Sequence, residues 1–202
     1  MKIYQDASAP NPRRVRIFLA EKALTIPYEN VDLSKKEQLS KDFLAINPYG
    51  ELPVLELDDG THIAETMAIC RYLELLHPDP PLFGTSPVEQ ATIEMWNRRM
   101  ELNLLLNIAH CFQHSHPFFA DTKPQVPDYA AIARQRAETH LDRLNTLLGS
   151  RPYIAGENFS VADITTVCAI DFARVVKIRI ADSADHLNQW HKRVSDRPSI
   201  SA

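Results

Sequence analysis

At 202 residues with 45% hydrophobic content, the chain has room for one or two small domains and the composition of an ordinary globular protein. A formal net charge of −4 gives no reason to expect nucleic acid or an anionic membrane as a partner, and no apolar run reaches the ~18 residues that span a bilayer. MKIYQDA lacks the apolar core of a signal peptide, and Cys70, Cys111 and Cys168 fit no metal spacing, so the expectation is a reduced, cytoplasmic chain without a metal.

The first part of the chain alternates strand and helix. Lys2–Gln5 reads as a short strand. Asn11-Pro12 reads as an N-cap followed by proline at the first helical position. That helix runs to about Ala23, with Val15, Phe18 and Leu19 on one face. Residues 28–33 form the next strand, and a short helix covers about 39–46.

Residues 47–69, NPYGELPVLELDDGTHIAETMAI, carry the most chemistry. Pro53 cannot donate to a ladder, so it belongs at the start of a strand, an edge or a bend. A cis Leu52–Pro53 bond would turn the Leu52 N–H and C=O outward, where an extended peptide can pair with them as with a strand edge. Asp59-Gly60 signals a hairpin. Glu65-Thr66 ends a second strand and opens the helix MAICRYLELL, with Thr66 as N-cap. The free N–H groups and positive dipole end of a helix start suit a carboxylate. One segment thus supplies a peptide-backbone clamp beside a carboxylate pocket, in the order β-α-β-α-β-β-α.

Four prolines and a glycine in residues 77–87, HPDPPLFGTSP, end the third helix and read as a linker. The expected division is 1–78, linker 79–87, and a helical 88–202. A long helical pattern covers 88–116 and stops at Pro117. A second covers 129–148 and closes at Gly149. A third opens at Ser160 and Asp163, a capping box with aspartate for glutamate and Phe159 as its staple. A last helix covers about 184–195.

NPYGELPVL, DDG and ETMAI, in that order, resemble the glutathione-binding half of the cytosolic glutathione S-transferases, with Thr66 in place of the usual serine. The capping box at Ser160 extends the resemblance over the second part, and the whole resembles a bacterial theta-like member with an atypical catalytic loop. The resemblance implies an α/β thioredoxin-like domain followed by an all-α bundle. It implies glutathione as co-substrate, with Leu52 and Pro53 at the cysteinyl backbone, Thr66 at the γ-glutamyl carboxylate and Glu65 at its ammonium. Gln38, Lys36 or Lys41 would meet the glycyl carboxylate; Glu51, an acid, cannot.

The catalytic group is where the chain departs from the family. A cysteine thiol titrates near ~8.5, so transfer chemistry needs a donor that holds the thiolate. Family members place a tyrosine, serine or cysteine beside the first helix. Alignment on Arg14-Val15-Arg16-Ile17 puts Ala9 and Pro10 there. Ser8 is adjacent and ranks first. His114 and Ser115 acting through water, within the run HCFQHSHPFF with His110 and His116, rank second. Asn11 ranks third, and the Tyr4 ring reads as core. Phe112, Phe118 and Phe119 read as an apolar wall for a hydrophobic electrophile.

The implied activity is conjugation of the glutathione thiolate to such an electrophile, by a homodimer whose contact face would include Trp96, Arg98, Arg99 and Glu101. The alternatives are a non-catalytic binding module of the same fold, or a glutathione-dependent isomerase or dehalogenase.

Overall fold

The computed structural model describes residues 1–202 and divides them into two compact units. The first comprises Met1–Leu82 with Pro198–Ala202, and the second Phe83–Arg197. The chain's last five residues thus return to the first unit. There Ile200 C=O accepts from Arg13 at 3.2 Å and Ala202 C=O from Arg16 at 3.3 Å.

In the first unit, β1 (Lys2–Gln5), β2 (Tyr28–Asn30), β3 (Val54–Glu56) and β4 (His62–Ala64) form one sheet in the order β2-β1-β3-β4. β1 and β2 are parallel; β3 pairs antiparallel with both β1 and β4. The helices are α1 (Pro10–Glu21), α2 (Lys41–Ile46) and α3 (Thr66–Leu76). The α-face residues Val15, Ile17, Phe18 and Leu19 of α1 are fully buried, with Ile69 and Leu73 of α3 beside them in the core. A second cluster packs Tyr4, Val31, Phe43, Leu52 and Val54 together. Burial of such side chains is worth roughly 1.5–3 kcal/mol each, and this cluster anchors Leu52.

Three sequence expectations shift in the first unit. The strand expected over 28–33 ends at Asn30, because Asp32 accepts from the Ser34 and Lys35 N–H groups and starts a 3₁₀ turn at Leu33–Lys35. The first helix is capped by Ala9, not Asn11: proline occupies position 10 as well as 12, and a fixed φ suits it to the first turn. The third helix is capped by Glu65, so Thr66 is its first helical residue.

The second unit is helical: α4 (Pro87–Arg99), α5 (Leu106–Ser115), α6 (Pro127–Leu148), α7 (Val161–Ala173) and α8 (Asp185–Ser195). The pattern expected as one helix over 88–116 is divided by a π-helical stretch, Met100–Leu105. Asn107 supports that stretch: its Nδ2 donates to the C=O of Leu102 at 3.3 Å and of Asn103 at 2.9 Å.

Candidate functional site

The clamp is built from the turn before β3. Asn47 is buried and organises it: its Oδ1 accepts from Tyr49 N–H at 3.2 Å, and its Nδ2 donates to Glu51 C=O at 2.9 Å. Gly50 stands at φ +62, and a Cβ there would meet Leu39 Cδ2 at 3.0 Å and Gln38 C=O at 3.1 Å. Only glycine serves on both counts. The Leu52–Pro53 bond is cis. The Leu52 side chain is 9% exposed, while no hydrogen bond within the chain takes up its N–H or C=O. An apolar anchor with open backbone groups is what strand-like pairing with a peptide requires.

The α3 start lies one hairpin further on. Glu65 is exposed and holds φ 69, ψ 121, a conformation that costs a non-glycine residue about 1–3 kcal/mol. Its C=O accepts the first helical bond, from Ile69 N–H at 3.0 Å. The N–H groups of Thr66, Met67 and Ala68 precede that bond, and no side chain caps them. The Thr66 residue is buried to 6% exposure, and its hydroxyl has no partner within the chain. The result is an uncapped, positive helix end with a hydroxyl in it and a carboxylate at its rim.

Gln38 lies in a 3₁₀ turn, Glu37–Leu39, half-buried, and its buried Oε1 has no partner. Lys36 and Lys41 are exposed, as is Glu51.

The loop before α1 is held by a residue that the sequence reading passed over. Asp6 Oδ1 accepts from both the N–H and the Oγ of Ser8, at 2.8 and 2.6 Å, and Oδ2 accepts from Leu33 N–H at 3.0 Å. Burial pushes the Asp6 carboxyl up, but the Ser8 and Leu33 hydrogen bonds outweigh it and leave the pKa lowered. The Ser8 proton is therefore committed to a carboxylate. Asn11 is exposed, and its Oδ1 accepts from Arg14 at 3.3 Å. Between Pro10 and Pro12, it is the one residue of the first turn with an N–H. Tyr4 is buried, and its hydroxyl donates to Glu56 at 2.6 Å.

In the second unit, His114 Nδ1 accepts from Val126 N–H at 3.2 Å, which leaves the neutral ring's proton on Nε2. Ser115 Oγ donates to Cys111 C=O at 2.6 Å, and His116 Nδ1 accepts from Phe118 N–H at 3.2 Å. His110 Nδ1 bonds Tyr129 Oη at 3.0 Å, and burial, with the nearby charges of His114 and Arg136, lowers its pKa. Phe112 meets Phe118, Phe119 and Phe172 at ring centroid distances of 6.2, 5.2 and 5.3 Å. Phe172, absent from the sequence expectation, sits too far along the chain for spacing to reveal it. Arg98 pairs with Glu101 at 2.9 Å, and the Arg99 and Arg151 guanidiniums each lie over the Trp96 ring, at 4.6 and 4.3 Å.

The sequence matches the family descriptions "Glutathione S-transferase, N-terminal domain" over residues 9–76 and "Glutathione S-transferase, C-terminal domain" over residues 103–198. It is 39% identical to Glutathione S-transferase 2 of Saccharomyces cerevisiae, across 99% of this chain and 88% of that protein. It is 34% identical to a probable elongation factor 1-gamma of Arabidopsis thaliana, across 78% of this chain but 37% of that one. The crystal structure of Gtt2 from Saccharomyces cerevisiae superposes with a TM-score of 0.95 at 39% identity, covering 100% of this chain and 99% of that one. With both family domains matched and a full-length relative at this identity, the chain belongs to the glutathione S-transferase family.

Proposed function

We propose that this glutathione transferase binds glutathione along Leu52 and the start of α3, and conjugates its thiolate to a hydrophobic electrophile. The open backbone of Leu52 next to the uncapped helix end at Thr66 is the observation that carries this reading. Leu52 would pair the cysteinyl backbone, with Pro53 fixing the bend. Thr66 would hold the γ-glutamyl carboxylate through its hydroxyl and N–H, and Glu65 the ammonium. Gln38, the half-buried member of its group, would take the glycyl carboxylate.

For the thiolate, the hydrogen bonds reorder the candidates. Ser8 gives its proton to Asp6, so donating to sulfur means breaking a charge-assisted bond worth about 1.5–3 kcal/mol. Asn11 has uncommitted N–H donors at the positive end of α1, and we rank it ahead of Ser8 as the group that lowers the thiol pKa. The water-mediated route through His114 Nε2–H and Ser115 stays as the alternative. Phe112, Phe118 and Phe119 would supply the apolar wall. The reading includes a homodimer and a cytoplasmic location, as the family resemblance implies. No helix is long and apolar enough to cross a membrane.

Retention on immobilised glutathione, followed by turnover of a generic aryl halide, tests the proposal. Retention without turnover of any electrophile would favour a binding module, a reading to which the resemblance to elongation factor 1-gamma lends weight. A folded protein that is not retained would overturn the site.

A further inference from the structure

The helical unit contains a polar cavity of about 210 Å³ that plays no part in the chemistry above. Gln135, Arg136, His140 and Arg143 of α6 line it on one side. Asn103, from the π-helical stretch, and Asn107 line it on the other. The four α6 residues, with Thr139 between them also on the wall, fall on one face of the helix at its 100° step. Departures from α-helical winding concentrate at functional positions, and this one presents Asn103 to the cavity wall.

His140 is 8% exposed, and neither of its ring nitrogens has a hydrogen-bond partner. Leaving two buried polar atoms unpaired is costly, and folded chains rarely do so without a reason. No ion pair or hydrogen bond within the chain takes up Arg136 or Arg143 either. Burial, reinforced by the Arg143 charge, pushes the imidazole down to about 4. At neutral pH the ring is therefore uncharged, and the positive charge of the cavity comes from two guanidiniums. Planar guanidiniums recognise carboxylate and phosphate by paired N–H donors. A neutral imidazole adds one more donor once a side-chain shift uncovers its nitrogens, which are closed to solvent.

We propose that this cavity binds a small oxyanion, of phosphate or carboxylate size, held between the Arg136 and Arg143 guanidiniums, with His140 turning to donate to it. The volume holds such an ion with ordered water. The same chemistry serves free phosphate and the carboxylate of a small metabolite, so the two need separate titrations.

The test titrates the full-length protein with inorganic phosphate, and separately with succinate, at ionic strength fixed with sodium chloride. Calorimetry reports affinity, and the His140 ring signals in NMR report place. The expected result is saturable binding of at least one of them with a shifted His140 signal. Arg136→Ala and Arg143→Ala, both at exposed residues, should each weaken binding at least tenfold. His140→Gln should weaken it severalfold; if that variant does not fold, the arginine variants decide. A non-saturable response overturns the site. So does unchanged affinity in the double arginine variant. If neither anion binds and Arg136→Glu with Arg143→Glu splits an oligomer, the cavity receives a carboxylate from a second copy, and the small-anion proposal fails.

Discussion

Two helices of this chain begin on a hydroxyl and a carboxylate, and they begin differently. At α7 the groups close on each other. Ser160 N–H and Oγ donate to Asp163 Oδ2 at 3.0 and 3.1 Å, while Ile154 N–H and Trp190 Nε1 each donate to Oδ1 at 2.9 Å. Ser160, Asp163, Ile154 and Trp190 are all buried. At α3 the groups stay apart. Glu65 points to solvent from a strained backbone, the Thr66 hydroxyl is unbonded, and the first N–H groups have no cap. Both starts use the same residue chemistry. One is spent on folding; the other is left open at an energetic cost, and the proposed glutathione site rests on that difference.

The largest effect should come from breaking the closed start. Asp163→Ala leaves four buried donors without an acceptor and should cost about 3–5 kcal/mol, read by urea unfolding. Glutathione KM of the folded protein should not move. Charge at this site also has a pH signature. Burial raises the Asp163 carboxyl to about 6, against the hydrogen bonds from Ile154, Trp190 and Ser160 that lower it. A raised acid favours the folded state most below its unfolded pKa, near 3.8, and that advantage is lost as pH rises through about 6. At roughly 1.4 kcal/mol per pH unit, the loss between pH 4 and 7 is on the order of 3 kcal/mol. Asp163→Asn should remove that slope relative to the parent. An identical slope in both proteins would mean that Asp163 does not titrate in this range.

Breaking the open start should damage binding at no cost in stability. Thr66→Ala removes a hydroxyl that the fold does not use. A hydrogen bond to a charged group is worth about 1.5–3 kcal/mol, so glutathione KM should rise roughly 10- to 100-fold with kcat nearly constant. Glu65→Gly sharpens the contrast further. Glycine relieves the positive φ and should stabilise the unit by up to about 1 kcal/mol, while glutathione KM rises because the ammonium partner is gone. A variant that is more stable and binds worse is the mark of strain kept for a ligand. If Glu65→Gly instead destabilises the fold, Glu65 has a structural role and the distinction between the two helix starts collapses.

The backbone geometry of residues 47–69 was legible in the sequence because its logic is local. Pro53, Asp59-Gly60 and Glu65-Thr66 each fix backbone geometry within a few residues, and the sheet formed around them. The capping box at Ser160 was legible for the same reason. What the sequence hid depends on contacts between distant residues. Asp6 binds Leu33 across the loop, and nothing in the spacing of DASAPNP shows that Ser8 has already given up its proton. His140 is one of several polar residues on α6, and only the fold sets Asn103 and Asn107 across the cavity from it and leaves its nitrogens unpaired. The α1 and α3 cap errors share one cause: Ala9 and Glu65 each cap a helix one or more residues before the hydroxyl or amide that a capping rule selects.

The α1 start is neither closed nor plainly open, and it yields the smallest predicted effects. Asn11→Ala removes side-chain donors but keeps the backbone N–H, so kcat/KM for an aryl halide at pH 7 should fall about tenfold, with the thiol pKa raised by roughly one unit. Ser8→Ala should change kcat/KM less than threefold, because the hydroxyl proton already rests on Asp6. The two are separated by the ultraviolet absorbance of bound thiolate against pH: Asn11→Ala moves the midpoint and Ser8→Ala does not. The reverse pattern would return Ser8 to first place and require its bond to Asp6 to break when glutathione binds. If neither variant moves the midpoint, the donor is a backbone N–H or the His114–Ser115 group. His114→Ala would then decide between those two, since the backbone donor survives that substitution and the side-chain route does not.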